Sequence, residues 1–286
     1  MHVTNLVFRV IAVVGMVLSV ALAGAGLALS DRPDGTVPEA ADVSVELAYL
    51  RYGSGPEHMV LIHGSPGSAR DFSGMLEPLS ERFTLHVFEM PGFGDSTAMV
   101  PDYSYAAAAD YLADALDRLL TPLDTVTVLG FSWGGGVAIR FADRHPDRAS
   151  RLVLLAGVGV PEGFHTGSYW GERLRYIAAA PVLLAYPGSL AGPALPLRQR
   201  HGFWRGFLDS DTRTMEDSLR RIRMPSFIIH SPSDTVVGWE SALRHEELLS
   251  DAYLVAYQGG HGLIYSDGDE MARIVLEALV TETAHE

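Results

Sequence analysis

The chain has 286 residues, with 35 acidic and 21 basic side chains and a formal net charge of -14. It contains no cysteine, and no lysine either, so every basic residue is an arginine. That composition excludes a thiol nucleophile, a disulfide, a thiolate metal site, a lysine Schiff base and a P-loop lysine. The acidic balance also argues against nucleic acid as a partner, because phosphate binding needs a basic face.

Mean hydropathy is nevertheless slightly positive, at +0.14, and the N-terminus accounts for it. From Val10 to Leu29 the chain reads VIAVVGMVLSVALAGAGLAL, without a charge. Such a run spans about 30 Å as a helix, the hydrocarbon thickness of a bilayer. Arg9 precedes it, and Asp31, Arg32 and Asp34 follow, a weak asymmetry that favours the N-terminus inside. Residues 1–30 are therefore expected to be a transmembrane anchor in the form of an apolar helix. The other reading is a cleaved signal peptide, with Ala21-Leu22-Ala23 or Ala23-Gly24-Ala25 at the cleavage site. Both readings export the remainder, which is membrane-anchored outside the cytoplasm in the first and secreted in the second. Residues 31–42, with Pro33, Gly35 and Pro38, read as a flexible tether.

Beyond the tether, residues 43–286 alternate short β-rich runs with longer helical patterns. Val43–Tyr49, His58–Ile62 and Thr84–Phe88 read as strands, and Tyr105–Leu120 carries apolar residues at helical spacing. Thr125–Leu129 is a buried strand, Trp133–Arg144 a helix that stops before Pro146, and Arg151–Leu155 another strand. The alternation then breaks. From about 158 to 223 the chain shows short helical pieces, many aromatics and a Pro/Gly-rich stretch at Pro187–Pro196, which together read as an inserted helical cap. It resumes with the strand Ser226–His230, a helix at Trp239–Leu249, the strand Tyr253–Tyr257 and a closing helix Asp269–Thr281. This order implies an α/β fold, a largely parallel sheet with helices on both faces.

Gly130-Phe131-Ser132-Trp133-Gly134 lies between a strand and a helix, where small residues permit a strained turn that exposes the Ser132 hydroxyl. A serine nucleophile needs a base, and the base needs an orienting acid. Of eleven histidines, His145 and His245 read as helix-surface residues, while His58, His86 and His230 lie within strand patterns. His261, in Gly259-Gly260-His261-Gly262, follows the last strand and emerges at the same carboxyl edge as Ser132. Asp234 follows Ser226–His230 at that edge, with Glu162 as a rival acid. The backbone N–H groups of Trp133 and of Ser65, in His63-Gly64-Ser65-Pro66-Gly67, are candidate oxyanion donors. His63 reads as a brace for its loop.

Those segments, together with Pro91-Gly92-Phe93-Gly94-Asp95-Ser96, resemble the cap-bearing branch of the α/β-hydrolase superfamily, from about Val43 to the C-terminus. The resemblance implies eight mainly parallel strands and a helical cap inserted where the alternation breaks. Glu89 stands where the family more usually has Asp. Relatives of this fold that act on haloalkanes or epoxides carry a carboxylate at the Ser132 position, so Ser132 points to acyl chemistry without metal or organic cofactor.

The expected function is therefore a serine hydrolase that cleaves an ester-type bond of a small, partly apolar acyl substrate. Two alternatives stay within the same chemistry. One is a carbon–carbon bond hydrolase. The other is an aminopeptidase of the proline iminopeptidase type, which would need Glu172, Asp209, Asp211, Glu216 or Asp217 to hold an α-amino group. An alternative of a different class is a non-catalytic binding module tethered at the membrane.

Overall fold

The computed structural model describes residues 45–185 and 197–281. The apolar segment, the tether and the Pro187–Pro196 stretch lie outside the described residues, among which no helix is long and apolar enough to cross a membrane.

In chain order the elements are β1 (Tyr49–Tyr52), β2 (Glu57–Ile62), α1 (Leu76–Ser80), β3 (Phe83–Phe88), α2 (Tyr105–Asp117), β4 (Val126–Phe131), α3 (Trp133–Arg144) and β5 (Ala149–Leu155). The inserted stretch holds α4 (Tyr169–Ala185), α5 (Leu197–Asp209) and α6 (Met215–Arg221). It is followed by β6 (Ser226–His230), α7 (Trp239–Leu248), β7 (Ala252–Ala256), α8 (Leu263–Ser266) and α9 (Gly268–Thr281). The strands form one sheet in the order β1-β3-β2-β4-β5-β6-β7. Only β1 is antiparallel to its neighbour.

The sheet thus has seven strands among the described residues, where the resemblance implied eight. The run expected as the first strand enters the ladder only at Tyr49. Before it, Ala48 O accepts from Glu89 N and Glu46 O accepts from Thr97 N, both at 2.9 Å, so this backbone is committed to the loop after β3. A short 3₁₀ turn at Ala69–Phe72 and α1 were not expected either. Both are too short to show a helical period, and Pro78 interrupts the second.

The sheet is apolar on both faces, as a parallel sheet between helices must be. Along β2, β4, β5 and β6, alternate residues serve opposite cores. Val60, Ile62, Val126, Val128, Leu152, Leu154 and Ile228 pack with Leu112 and Leu116 of α2, Val137 and Phe141 of α3, and Ala242 of α7. Met59, Leu61, Leu129, Phe131, Val153, Leu155, Phe227 and Ile229 pack with Leu79 of α1 and with Met271, Val275 and Leu279 of α9. Although α6 lies in the insertion, its Met215 and Leu219 join the first of these cores.

This register positions the site. Phe131, Leu155, Ile229 and Val255 are paired in sequence across β4, β5, β6 and β7. The carboxyl ends of four strands therefore finish on one line. The chain also runs from β2 to β3 in one direction and from β4 to β7 in the other. The crevice above β2 and β4 is thus a topological switch point, where open α/β sheets take their ligands.

Candidate active site

Ser132 sits at that switch point, between the end of β4 and the start of α3. Its backbone, at φ 54° and ψ -118°, lies outside the regions ordinary side chains occupy. The surrounding glycines permit the turn. A Cβ on Gly130 would strike the Gly134 carbonyl, and a Cβ on Gly134 would strike the Ile62 carbonyl at the end of β2. Ser132 N donates to Leu155 O at 3.0 Å, while Ser132 O accepts from Gly135 N and Val158 N, each at 2.9 Å. The strained residue is therefore pinned from β5 and from α3.

The loops after β6 and β7 bring the other two expected residues to Ser132. His261 Nε2 lies 3.0 Å from Ser132 Oγ, and His261 Nδ1 lies 2.7 Å from Asp234 Oδ2. A carboxylate only accepts, so Nδ1 carries the proton and Nε2 is left to accept from the serine hydroxyl. The other carboxylate oxygen, Asp234 Oδ1, accepts from Val236 N at 2.7 Å and Val237 N at 3.0 Å. Burial would raise the Asp234 carboxyl, but the His261 bond and these two amides outweigh it and hold the group below its usual range. Its side chain has no solvent exposure, and that of His261 has 13%.

Two buried groups outside sequence expectation hold these loops. His230 Nε2 donates to Val237 O at 2.9 Å, which closes the turn whose amides grip Asp234. Ser231 Oγ donates to Gly259 O in a short bond, which ties the Asp234 loop to the His261 loop. Neither could be found from periodicity, because each acts on a backbone carbonyl brought close only by the fold. The rival acid Glu162 is exposed on a 3₁₀ turn at Pro161–Gly163 and is not among the partners of His261.

The two expected oxyanion donors flank the serine. Trp133 is the first residue of α3, where helix amides lack an intrahelical acceptor. The loop of Ser65 crosses close over Ser132, with room for a Cβ on Gly64 only 3.2 Å from the Ser132 Cβ. Beneath this loop His63 is fully buried. Its Nδ1 donates to Gly64 O at 2.6 Å and its Nε2 accepts from Met90 N at 3.0 Å. Desolvation pushes the imidazole down to about 4, so it braces the loop as a neutral ring. His245, expected on a helix surface, is instead fully buried, since α7 turns that face toward Gly159 and Ile139.

Over Ser132 lies a cleft lined by Ser65, Trp133, Tyr105, Val158 and, from the insertion, Tyr169, Glu172, Tyr176, Phe203 and Phe207. Its cap wall is fixed by Arg173, which donates to the carbonyls of Phe207, Leu208 and Ser210 at the end of α5. Trp133 Nε1 donates to Ser210 Oγ at 3.3 Å, so the residue after the serine is tied to the cap. Of the five cap carboxylates singled out in the sequence, Glu172 alone lines the cleft. Asp209 pairs with Arg205, Asp211 with Arg213 and Glu216 with Arg244, and Asp217 is exposed. Among the described residues, no group of three His, Asp or Glu side chains is arranged to hold a metal ion.

Comparison with known proteins agrees with this architecture. Residues 57–185 match the model of the alpha/beta hydrolase fold family. The chain is 38% identical over 261 residues to a pimeloyl-[acyl-carrier protein] methyl ester esterase of Chromobacterium violaceum, covering 80% of this chain and 96% of that protein. It is 29% identical over 248 residues to a 2-hydroxy-6-oxo-2,4-heptadienoate hydrolase of Pseudomonas putida, covering 78% and 89%. An uncharacterized protein of Mycobacterium tuberculosis is 39% identical over 113 residues, and the match spans only 32% of that protein's length. Among solved structures, a hydrolase from Pseudomonas aeruginosa PA01 superposes with a TM-score of 0.67 at 21% identity, covering 86% of this chain and 99% of that one. That likeness is one of fold.

Proposed function

The chain belongs to the α/β-hydrolase family, and from that premise we propose that it is a serine hydrolase that cleaves an ester-type bond through an acyl-enzyme. The observation that carries this reading is the continuous hydrogen-bonded series from Ser132 Oγ through His261 to the buried Asp234, at 3.0 and 2.7 Å.

In the proposed mechanism Ser132 Oγ attacks the scissile carbonyl while His261 Nε2 takes its proton. Asp234 holds the imidazole in the reactive tautomer and stabilises the imidazolium that forms. The amides of Ser65 and Trp133 donate to the oxyanion of the tetrahedral intermediate. His261 then protonates the leaving oxygen, and later removes a proton from the water that releases the acyl group. The strained backbone of Ser132 supports the reading, since an ordinary serine in a turn needs no such conformation. The aromatic lining of the cleft fits a partly apolar substrate.

The relative that hydrolyses a methyl ester favours the ester reading. A carbon–carbon bond hydrolase is the second reading, favoured by the 2-hydroxy-6-oxo-2,4-heptadienoate hydrolase. The iminopeptidase reading is weakened by the pairing of Asp209, Asp211 and Glu216 away from the cleft. We further propose that residues 43–286 act as one exported hydrolase unit, anchored by 1–30 or released from it. Ser132→Ala is expected to abolish hydrolysis of p-nitrophenyl acetate, and undiminished turnover by that variant would reject the assignment.

A further inference from the structure

The wall of the cleft contributed by the insertion contains two polar groups left incomplete. Glu172, in the first turn of α4, is 4% exposed and shares the cleft lining with Ser132 and Trp133. Its Oε1 accepts from Arg175 Nε at 2.9 Å and from Arg175 Nη2, but its buried Oε2 has no hydrogen-bond partner. Thr212, 2% exposed in the same lining, likewise has a buried Oγ1 without a partner. A carboxylate oxygen removed from water and left unbonded loses the full hydration of that atom. Packing alone does not call for it, since an apolar side chain would fill the wall without that loss. Rotation about the terminal carboxyl torsion is soft, so either oxygen can turn toward a ligand.

Resting on the serine-hydrolase reading, we propose that Glu172 is a specificity-determining residue that receives a neutral hydrogen-bond donor, a hydroxyl or amide N–H, carried by the substrate apart from its scissile carbonyl. The surrounding charges define the class. Arg175 already matches the Glu172 charge, and Arg173, 9% exposed in the same lining, bonds to three backbone carbonyls. Arg213 also stands beside Asp211 at this end of the cap. The three guanidinium groups outnumber the two carboxylates, which disfavours an ammonium ligand. Thr212 Oγ1 can donate to the oxygen of the same hydroxyl or amide.

The test compares kcat/KM for p-nitrophenyl esters of straight-chain acids of about six to ten carbons, each ending in a methyl, a hydroxyl or an ammonium group. Acetate esters of the corresponding alcohols and diols, followed by pH-stat, cover a group carried on the leaving side. The wild type is expected to prefer a hydroxylated ester over its alkyl counterpart by about 10- to 100-fold at one chain length. Glu172→Leu should bring that ratio to about one or below, with Thr212→Val lowering it less. Labelling of Ser132 by a fluorophosphonate reports that each variant is folded. If Glu172→Leu does not fold, the wild-type ratio and Thr212→Val still decide. Alkyl turnover without a hydroxyl preference at any length, a preference that survives in Glu172→Leu, or an ammonium ester preferred over the hydroxyl ester would each overturn the proposal. Absence of both turnover and labelling would overturn it together with the hydrolase reading beneath it.

Discussion

The carboxyl edge of the sheet and the cap wall above it face the same cleft, yet they treat their polar groups in opposite ways. At the sheet edge, Ser132, His261 and Asp234 are closed onto one another, and the amides of Val236 and Val237 complete the carboxylate. In the cap wall, Glu172 Oε2 and Thr212 Oγ1 are buried and unbonded. Groups that perform chemistry gain from being fixed before the substrate arrives, because a preorganised dipole needs no rearrangement at the moment of reaction. A group that recognises a substrate can instead be completed by it. Under the proposed function, the sheet edge would serve the reaction and the cap wall the choice among substrates.

Substitutions at the sheet edge test that contrast most severely. His261→Ala is expected to lower kcat for an activated ester by at least about 10⁴-fold with the fold intact, because the base acts with the nucleophile as a unit. A loss below tenfold would break the comparison. Asp234→Asn keeps an oxygen for the amides of Val236 and Val237 but no longer holds the reactive tautomer. It should cost about 10³- to 10⁴-fold in kcat, while circular dichroism stays unchanged.

A smaller effect should appear at the junction of the two regions. Ser210→Ala removes the acceptor of the Trp133 indole N–H together with the side-chain hydrogen bond between Ser210 and Tyr105, and is expected to lower kcat/KM about fivefold. No change beyond twofold would mean that the cap does not help position the residue after Ser132.

Acid should weaken the body of the protein through buried histidines other than His261. His245 is fully buried with neither ring nitrogen bonded, and desolvation pushes it down to about 3. A folded-state value below the unfolded one means that the unfolded chain binds more protons as pH falls. Stability is then complete above about pH 6.5 and falls as pH drops toward 3. By pH 4 the loss from this residue is about 3 kcal/mol. Denaturant melts from pH 7 to 4 should show the decline, and His245→Leu should flatten it. His63, lowered to about 4 by the same burial, supplies part of the slope that remains. At the other extreme, Trp170 is 53% exposed on the cap, and Trp170→Ala should shift Tm by no more than about 2 °C.

What the sequence disclosed follows the same division. The strands that carry the site were legible because their residues are apolar on both faces and end in turn residues. Ser132, Asp234 and His261 could be placed at one edge because each follows a parallel strand. The boundaries were less so. β4 runs on through Gly130 and Phe131 because β2 and β5 pair with it there, which no local propensity reveals. Glu172 could be picked out only as one of several acidic cap residues. What separates it from Asp209, Asp211 and Glu216 is which arginine each one meets, and α5 supplies Arg205 to Asp209 where α7 supplies Arg244 to Glu216. The burial of His245 is hidden in the sequence for a related reason: its helix carries charges on either side, and the packing of α7 against Gly159 encloses it.

Reaction with a fluorophosphonate, followed by intact-mass analysis, asks whether Ser132 is an activated nucleophile served by His261 and Asp234. A single adduct is expected on the wild-type protein, located at Ser132 by peptide mapping and absent in Ser132→Ala. A folded wild-type protein that forms no adduct, or one whose adduct persists in Ser132→Ala, would contradict that assignment.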